Sequence, residues 1–371
     1  MIRLSFPDIG EEEFMEVRKV LESGWLVQGD KVEEFENLIK DYLNVKHVIA
    51  VSSGTAALHL SLLSMGIKPN DEVIIPDFTF PATANVVELI NANCVFVDIE
   101  PETFNIAPEK IEEKITERTK AIIVVHEFGC PAKLDEIIAI ATKHDLKVLE
   151  DAACALGAEY KGKKVGTIGD IGCFSLHPRK NITTGEGGIV VTNNDEYAEK
   201  IKMLRNHGIK IIKGRTRFEL AGFNYRLTNI QGAIGTVQMK KLEKIIEKKT
   251  QLIKIYEKLL SDIEWVKIPR APEYGRHVWQ TYHVMLDRNI NRTKLINYLR
   301  NNGIETNYGA YSVHREPYYK RKYNFDDKEF INSIRAADFG LALPLHSKLK
   351  QSDLEYISQQ ISKFGSDIND L

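Results

Sequence analysis

An α/β fold is what the sequence predicts: a mainly parallel sheet flanked by helices, followed by a smaller α+β unit. Three observations point to it. Seven short apolar runs recur between helical stretches. Most of these runs are apolar on consecutive residues instead of alternating, as in strands that helices cover on both faces. A long amphipathic stretch then separates them from a tail of mixed helical and extended character. Size and charge agree with this class. The chain has 371 residues, 43% of them hydrophobic and 27% charged, enough for one large unit and a smaller one, which excludes disorder as the main state. Lys and Arg number 50 against 52 Asp and Glu, and the resulting charge of −2 offers no global attraction for nucleic acid or acidic lipid.

In chain order, two helical patterns come first: Phe14, Val17 and Leu21, then Val32, Phe35, Leu38, Ile39 and Tyr42. The candidate strands follow at 47–51, 72–75, 94–97, 121–125, 147–150, 172–175 and 188–192. From about 230 to 263 apolar residues recur at helical spacing with Lys and Glu on the other face, so one helix can bridge two domains, 1–235 and 236–371. Strand-like 281–286, helical 293–301, extended 304–308 and helical 352–364 make up the small α+β unit. No apolar run approaches the roughly 20 residues of a membrane helix, and the polar start at 1–8 lacks a signal peptide's apolar core. A soluble, cytoplasmic protein is expected. Cys94, Cys130, Cys154 and Cys173 form no C-x-x-C pair, so they read as reduced thiols and no metal site is expected.

Missing motifs narrow the chemistry. No G-x-G-x-x-G follows a strand and no G-x-x-x-x-G-K-[ST] occurs, so nicotinamide and P-loop chemistry drop out. His126-Glu127 lacks the second histidine of H-E-x-x-H, and there is no G-x-S-x-G elbow. What remains is the stretch 173–188, where a strand ends in Ser175 and His177, Lys180 follows, and a glycine-rich turn leads into the next strand. A lone loop lysine is ordinarily a solvated charge, but Lys180 has company. Asp151 ends the strand at 147–150, at the carboxyl edge where ligands of open α/β sheets gather, or else it caps the next helix. Ser52-Ser-Gly-Thr55 follows the first strand and opens a helix, which suits either an anion at the helix N-terminus or a plain capping box. A lysine amine, a carboxylate, an anion cradle and a flat aromatic near Phe80 are together the groups that pyridoxal phosphate requires, Lys forming the Schiff base and Asp keeping the ring nitrogen protonated.

On these residues the sequence resembles fold type I pyridoxal phosphate enzymes, within them the DegT/DnrJ/EryC1/StrS family of sugar-nucleotide aminotransferases, from about Gly24 to the C-terminus. The family's Ser-Phe-His-x-x-Lys and Thr-Thr-Gly-Glu-Gly-Gly motifs match Ser175 to Gly188 with Leu176 in the Phe position, which implies Lys180 as the Schiff-base lysine and Ser175 as a phosphate donor. Its Ser-Gly-Thr loop matches Ser53, Gly54 and Thr55, with the backbone of Thr55 and Ala56 as donors. Its Thr-aromatic-x-Ala-Thr segment matches residues 79–83, so that Phe80 would stack on the ring; a core Phe is the alternative. Its Glu-Asp-x-Ala-[His/Gln] segment matches 150–154 with Asp151 facing the ring nitrogen, and Cys154 departs from the commoner His or Gln as a weaker donor. Its Gly-x-Asn-x-Arg stretch matches 222–226 and implies Asn224 contributed in trans, hence a homodimer with shared active sites. Tyr225 and Arg226 would reach the substrate side, unless Arg226 is structural; Tyr308, Tyr311 and His314 fall where relatives contact the sugar nucleotide. His177 and Arg179 either help Lys180 to shed its proton or only shape the turn.

The resemblance implies an aminotransferase that moves an amino group from an amino acid, usually glutamate, to a nucleotide-linked keto-deoxysugar for amino-sugar and glycan biosynthesis. Sugar dehydratases of this fold carry His in place of the lysine, so Lys180 argues against that activity. Amination of a cyclitol or another non-nucleotide ketone, and a degenerate cofactor-binding regulator, are the other readings.

Overall fold

The computed structural model describes residues 1–369. Helices α1 (Glu11–Ser23) and α2 (Asp30–Leu43) lead into a seven-stranded sheet. Its strands in chain order are β1 (His47–Val51), β2 (Glu72–Pro76), β3 (Asn93–Val97), β4 (Thr119–Val125), β5 (Lys147–Asp151), β6 (Ile171–Ser175) and β7 (Gly188–Thr192). Their order across the sheet is β1-β7-β6-β5-β4-β2-β3, and only β7 runs against its neighbours. These are the seven runs expected from the sequence, each within two residues at either end. Helices α3 (Gly54–Ser64), α4 (Ala82–Leu89), α5 (Leu134–Lys143) and α6 (Asp195–Arg205) connect or follow the strands.

The consecutive apolar pattern has a simple cause. Alternate residues of one strand enter opposite cores: Val48 and Ala50 join α2 on one face, while Ile49 and Val51 join α3 on the other. Strand β4 divides in the same way, with Ile122 and Val124 on the first face and Ala121 and Ile123 on the second.

Helix α7 (Asn229–Leu260) starts at a capping box in which the Thr228 hydroxyl accepts from the Gln231 N–H and the Gln231 side chain accepts from the Thr228 N–H. It is 32 residues long, about 48 Å at 1.5 Å per residue. Leu242, Ile245 and Ile246 pack into the core beneath the sheet, whereas Leu252, Ile253, Tyr256 and Leu260 belong to a separate core at the other end. That second core is built with the strands Tyr282–Leu286 and Gly340–Leu343 and the helices Arg292–Asn301 and Gln351–Asn369. No described helix is long and apolar enough to cross a membrane.

Three features differ from the expected elements. The stretch 304–308 is not a strand: it pairs only at single points, Ile304 with Ile2 and Asn307 with Ala342, between Gly303 (φ 75°) and Gly309 (φ 91°), whose left-handed backbone breaks the extension. An exposed hairpin, Ile209–Ile212 with Arg215–Phe218, was not anticipated. Residues 2–8, without regular structure of their own, are fastened to the C-terminal unit: the Leu4 N–H donates to Glu305 (3.0 Å), the Leu345 N–H to the Leu4 carbonyl (3.1 Å) and the Ser347 hydroxyl to Asp8 (2.9 Å).

Candidate active site

The parallel register aligns the carboxyl ends of β4, β5 and β6: Val125 lies opposite Asp151, and Asp151 opposite Cys173, two residues before Ser175. A cavity of about 330 Å³ opens at this edge. Ser53, Gly54 and Thr55 line it from the start of α3, Asp151 and Cys154 from the end of β5, and Ser175, His177 and Lys180 from the turn after β6. The sequence-derived groups therefore converge although up to 127 residues (180 − 53) separate them in the chain.

Each is held for a local reason. Ser53 is the N-cap of α3, its Oγ accepting the Ala56 N–H at 3.0 Å, so the Ala56 donor named from the sequence is already used as a cap. A Cβ on Gly54 would stand 2.9 Å from Ser175 Cβ, so only glycine lets the two phosphate-side segments approach this closely. Asp151 accepts from the Thr83 hydroxyl (2.8 Å) and the Ala153 N–H (3.2 Å). Burial pushes its carboxyl above the usual range, opposed by those two donors and by the Lys180 charge. Glu150 precedes it on the same strand and points the other way. It accepts the N–H groups of Gly166 (2.6 Å), Ile168 (2.7 Å) and Gly169 (2.6 Å), and His126 Nε2–H at 2.9 Å. The Ala132 N–H donates to Nδ1 of His126 at 3.1 Å, which fixes that tautomer.

The turn that carries Lys180 is closed by the Lys180 N–H on the His177 carbonyl (2.8 Å) and by the Thr183 hydroxyl on the Leu176 carbonyl (2.7 Å). Lys180 Nζ donates to Cys154 Sγ at 3.0 Å, so the residue that departs from the commoner His or Gln acts here as an acceptor. Burial drives the Cys154 thiol up and the His177 imidazole down. Phe80 stands at the lip, 64% exposed and 6.4 Å edge-on from Tyr311; it is not a core residue.

The remaining candidates are dispersed. Asn224 forms a bridge with Asn206 and lies outside the cavity. Tyr225 stacks on Phe223 at 4.8 Å, and Arg226 donates to Asn206 and lines a separate cleft of about 860 Å³. Tyr308 and Tyr311 line a neighbouring hollow of about 290 Å³ with Arg292 and Arg315, where the Arg292 guanidinium lies 4.4 Å over the Tyr308 ring. Ala310 is common to the hollow and the cavity. His314 is turned inward: its ring stacks on Phe330 at 4.2 Å, its N–H donates to Asp77 (2.8 Å), and its imidazole lies 2.9 Å from Asp77 and 3.3 Å from Asp327. It does not reach the cavity, so the geometry gives no support to a substrate contact there.

Sequence inspection missed part of the wall: Glu127, Phe128, Thr83, Gln280 and Thr281. The signal for Glu127 was its place just after a strand, the same edge position that singled out Asp151.

The cavity suits pyridoxal phosphate: an amine, a buried carboxylate held by donors, and a glycine-cleared pair of serine hydroxyls at a helix N-terminus meet in one enclosed space. Comparisons agree. The family model described as the DegT/DnrJ/EryC1/StrS aminotransferase family matches residues 7–362. GDP-perosamine synthase of Caulobacter vibrioides is 39% identical, with 96% of each chain covered. Among solved structures, Helicobacter pylori PseC, an aminotransferase involved in the biosynthesis of pseudoaminic acid, superposes with a TM-score of 0.93 at 29% identity over 98% of both chains. A Streptococcus pneumoniae protein solved in its PLP form gives 0.93 at 27% identity over 99% of both. The fold is that of the fold type I transferases, and the chain belongs to the DegT/DnrJ/EryC1/StrS family, as a pyridoxal phosphate-dependent aminotransferase.

Proposed function

We propose that the protein transfers an amino group from an amino acid, with glutamate the expected donor, to a nucleotide-linked keto-deoxysugar in amino-sugar assembly. The observation that carries this is the junction at Ala310, where the cavity holding Lys180 and Asp151 adjoins a hollow lined by Tyr308, Tyr311, Arg292 and Arg315. Aromatic faces and guanidinium groups are what a nucleoside diphosphate requires, and a reacting sugar would lie toward Lys180. The GDP-perosamine synthase relative supports the same class. The test is single turnover of the amine-loaded enzyme with a panel of nucleotide ketosugars, cyclitol ketones and simple ketones, read by mass spectrometry. Conversion of a non-nucleotide ketone in preference to every nucleotide sugar would overturn the reading.

Pyridoxal phosphate, when bound, supplies an aldehyde that captures amines and a ring that withdraws electrons. Lys180 would hold it covalently, Ser53, Ser175 and the first turn of α3 would bind its phosphate, and Asp151 would hold the proton on its ring nitrogen. Lys180, once free, would serve as the base that takes a proton from the donor carbon. Asp151→Asn keeps the shape but removes the charge that retains the ring proton, so the rate of either half-reaction is expected to fall by about 10²-fold or more. Equal stopped-flow rates for wild type and variant would reduce Asp151 to a cap.

Asn224, outside its own subunit's cavity, would complete the cavity of a second copy in a homodimer. Mixing inactive Lys180→Ala subunits with Asn224→Ala subunits then yields heterodimers with one doubly altered site and one intact site. Activity is expected to return once subunits have exchanged, and its continued absence after exchange shown by native mass spectrometry would refute the shared site.

A further inference from the structure

The turn that carries Lys180 is gripped from behind by the bridging helix α7. Two residues of that helix reach it, Gln238 and Lys249, eleven positions apart (249 − 238) and so about three turns along one face. Gln238 Oε1 accepts the Thr183 N–H at 3.2 Å, while its Nε2 donates to the Asp8 carbonyl (2.7 Å) and to Glu13 (2.8 Å). Lys249 Nζ donates to Asn181 Oδ1 at 2.7 Å and to the carbonyls of Trp279 and Gln280 at 3.3 and 3.4 Å. Residues 278–280 hold the same turn by a second route: Asn181 Nδ2 donates to the Val278 carbonyl (3.2 Å) and Gln280 Nε2 to the Arg179 carbonyl (2.8 Å). Both chain neighbours of Lys180 are thus held by side-chain contacts, and Lys249 ties into each of them. The path of 278–280 is itself imposed. Trp279 has φ 51°, a left-handed backbone that a bulky residue adopts only where its surroundings over-determine it. The Val278 and Gln280 N–H groups donate to the carbonyls of Gly129 and Phe128 (3.1 and 2.9 Å), the Trp279 ring stacks on His277 at 3.9 Å, and Lys249 is the donor that meets the Trp279 and Gln280 carbonyls from the other side.

Solvent cannot take up a displacement here. The hollow between the turn, α7 and residues 345–347 has a volume of about 10 Å³, room for no more than one water. Lys249 is 4% exposed and stands on α7 between Ile246 of the first core and Leu252 of the second. We propose that Lys249 is a positioning residue for the reaction: through Asn181 and residues 278–280 it sets where the Lys180 amine stands in the cavity. It lines no part of that cavity and acts only through the neighbours of Lys180. Gln280 carries the same restraint into the cavity wall beside Thr281, whose hydroxyl donates to Gln280 Oε1 at 2.9 Å. A reacting group misplaced by about 1 Å can lose about 10²-fold in rate, which is how a residue out of reach of substrate governs turnover. The inference rests on Lys180 as the reactive amine.

The test compares Lys249→Met, which fills nearly the same space without the donors, with Asn181→Ala and the double variant. In cofactor-free protein, backbone hydrogen exchange read by mass spectrometry is expected to speed at least about 10-fold in Lys249→Met at residues 179–183 and 278–281, and to stay unchanged in the strands of the sheet. In the loaded enzyme, kcat of the amino-donor half-reaction per folded molecule is expected to fall at least about 10-fold, with KM for the donor held within about threefold. The double variant is expected to be no slower than the slower single variant, because both substitutions cut one tie. Unchanged exchange in those segments, or an unchanged kcat per folded molecule, overturns the proposal whatever the melting temperature does, as do losses that multiply in the double variant. If the variants fail to fold, wild-type exchange followed by NMR decides alone: the amide hydrogens of Lys180, Val278 and Gln280 are expected to open at one common rate, and unrelated rates overturn the proposal. Borohydride mapping of the cofactor-bearing lysine is a separate measurement, so failure of the tie and failure of the Lys180 assignment give different results.

Discussion

Lys180→Ala is expected to abolish transamination, with a loss of at least about 10⁴-fold, because in the proposed mechanism one side chain would supply both the covalent anchor and the proton-moving base. The fold should survive, since Nζ makes one hydrogen bond, to Cys154, and the turn is held by backbone and Thr183 contacts that the substitution leaves in place. The chemical check is borohydride reduction of the loaded wild-type enzyme followed by peptide mass mapping, which should place a pyridoxyl group on Lys180. The structure contains a serious competitor. Lys249 on α7 is fully buried, and burial lowers its amine to about 7, which makes it nucleophilic near neutral pH. Its Nζ, however, is engaged by Asn181 Oδ1 at 2.7 Å and by the carbonyls of Trp279 and Gln280 at 3.3 and 3.4 Å. It does not line the cavity. A label on Lys249 would move the catalytic assignment to a residue now read as a tie between α7 and the Lys180 turn.

The largest effect on stability is expected at Glu150. Its carboxylate takes four hydrogen bonds with no exposure to water. Glu150→Gln leaves a donor NH₂ group facing N–H donors, and breaking such a buried charged cluster costs about 3–5 kcal/mol. For a chain of this size that lowers the melting temperature by roughly 4–6 °C. The pH dependence follows from the sign of the shift. Burial raises the Glu150 carboxyl, but the hydrogen bond from His126, with the Gly169 and Gly166 N–H groups, brings it below the usual range. A depressed acid contributes stability above its unfolded-state value and loses it as pH falls through the folded one. The gap between wild type and variant should therefore be widest near neutrality and close in acid. Melting curves in a pH series check this, and a gap that stays constant into acid would mean that the carboxylate charge is not what holds the strand end.

How legible the molecule was depended on which physical signal each part carried. The seven strands were visible because Val48 and Ile49, or Ile122 and Ile123, feed opposite cores, and burial on both faces leaves an unbroken apolar run. The hairpin 209–218 was not, because Lys210, Arg215, Thr216 and Arg217 are solvated and give no burial pattern. The stretch 304–308 misled because its composition suits a strand, while the glycines at its ends decide its path. At the site, Asp151, Ser53 and Lys180 stood out because each follows a strand, and a parallel sheet collects such positions at one edge. Glu127 sits at the same kind of position and escaped notice only because it was weighed as half of a zinc motif. His314 was expected at the substrate side from the family resemblance, but the short 3₁₀ turn Val313–Arg315 carries its ring inward to Asp77. Side-chain direction over three residues is what a linear pattern does not encode.

Residues 2–8 acquire a further meaning from their fastening to the far end of the chain. Leu4 and its acceptor Glu305 are separated by 301 positions, and Asp8 and Ser347 by 339. On a ribosome, which emits the N-terminal side first, this strap has to wait in solution until nearly every other segment has been made. Its closure cannot precede the synthesis of those partners, and it has to bring together segments separated by 301 and 339 positions. A chain arrested before residue 305 has none of the partners, Glu305, Leu345 and Ser347, that hold Leu4 and Asp8 in place.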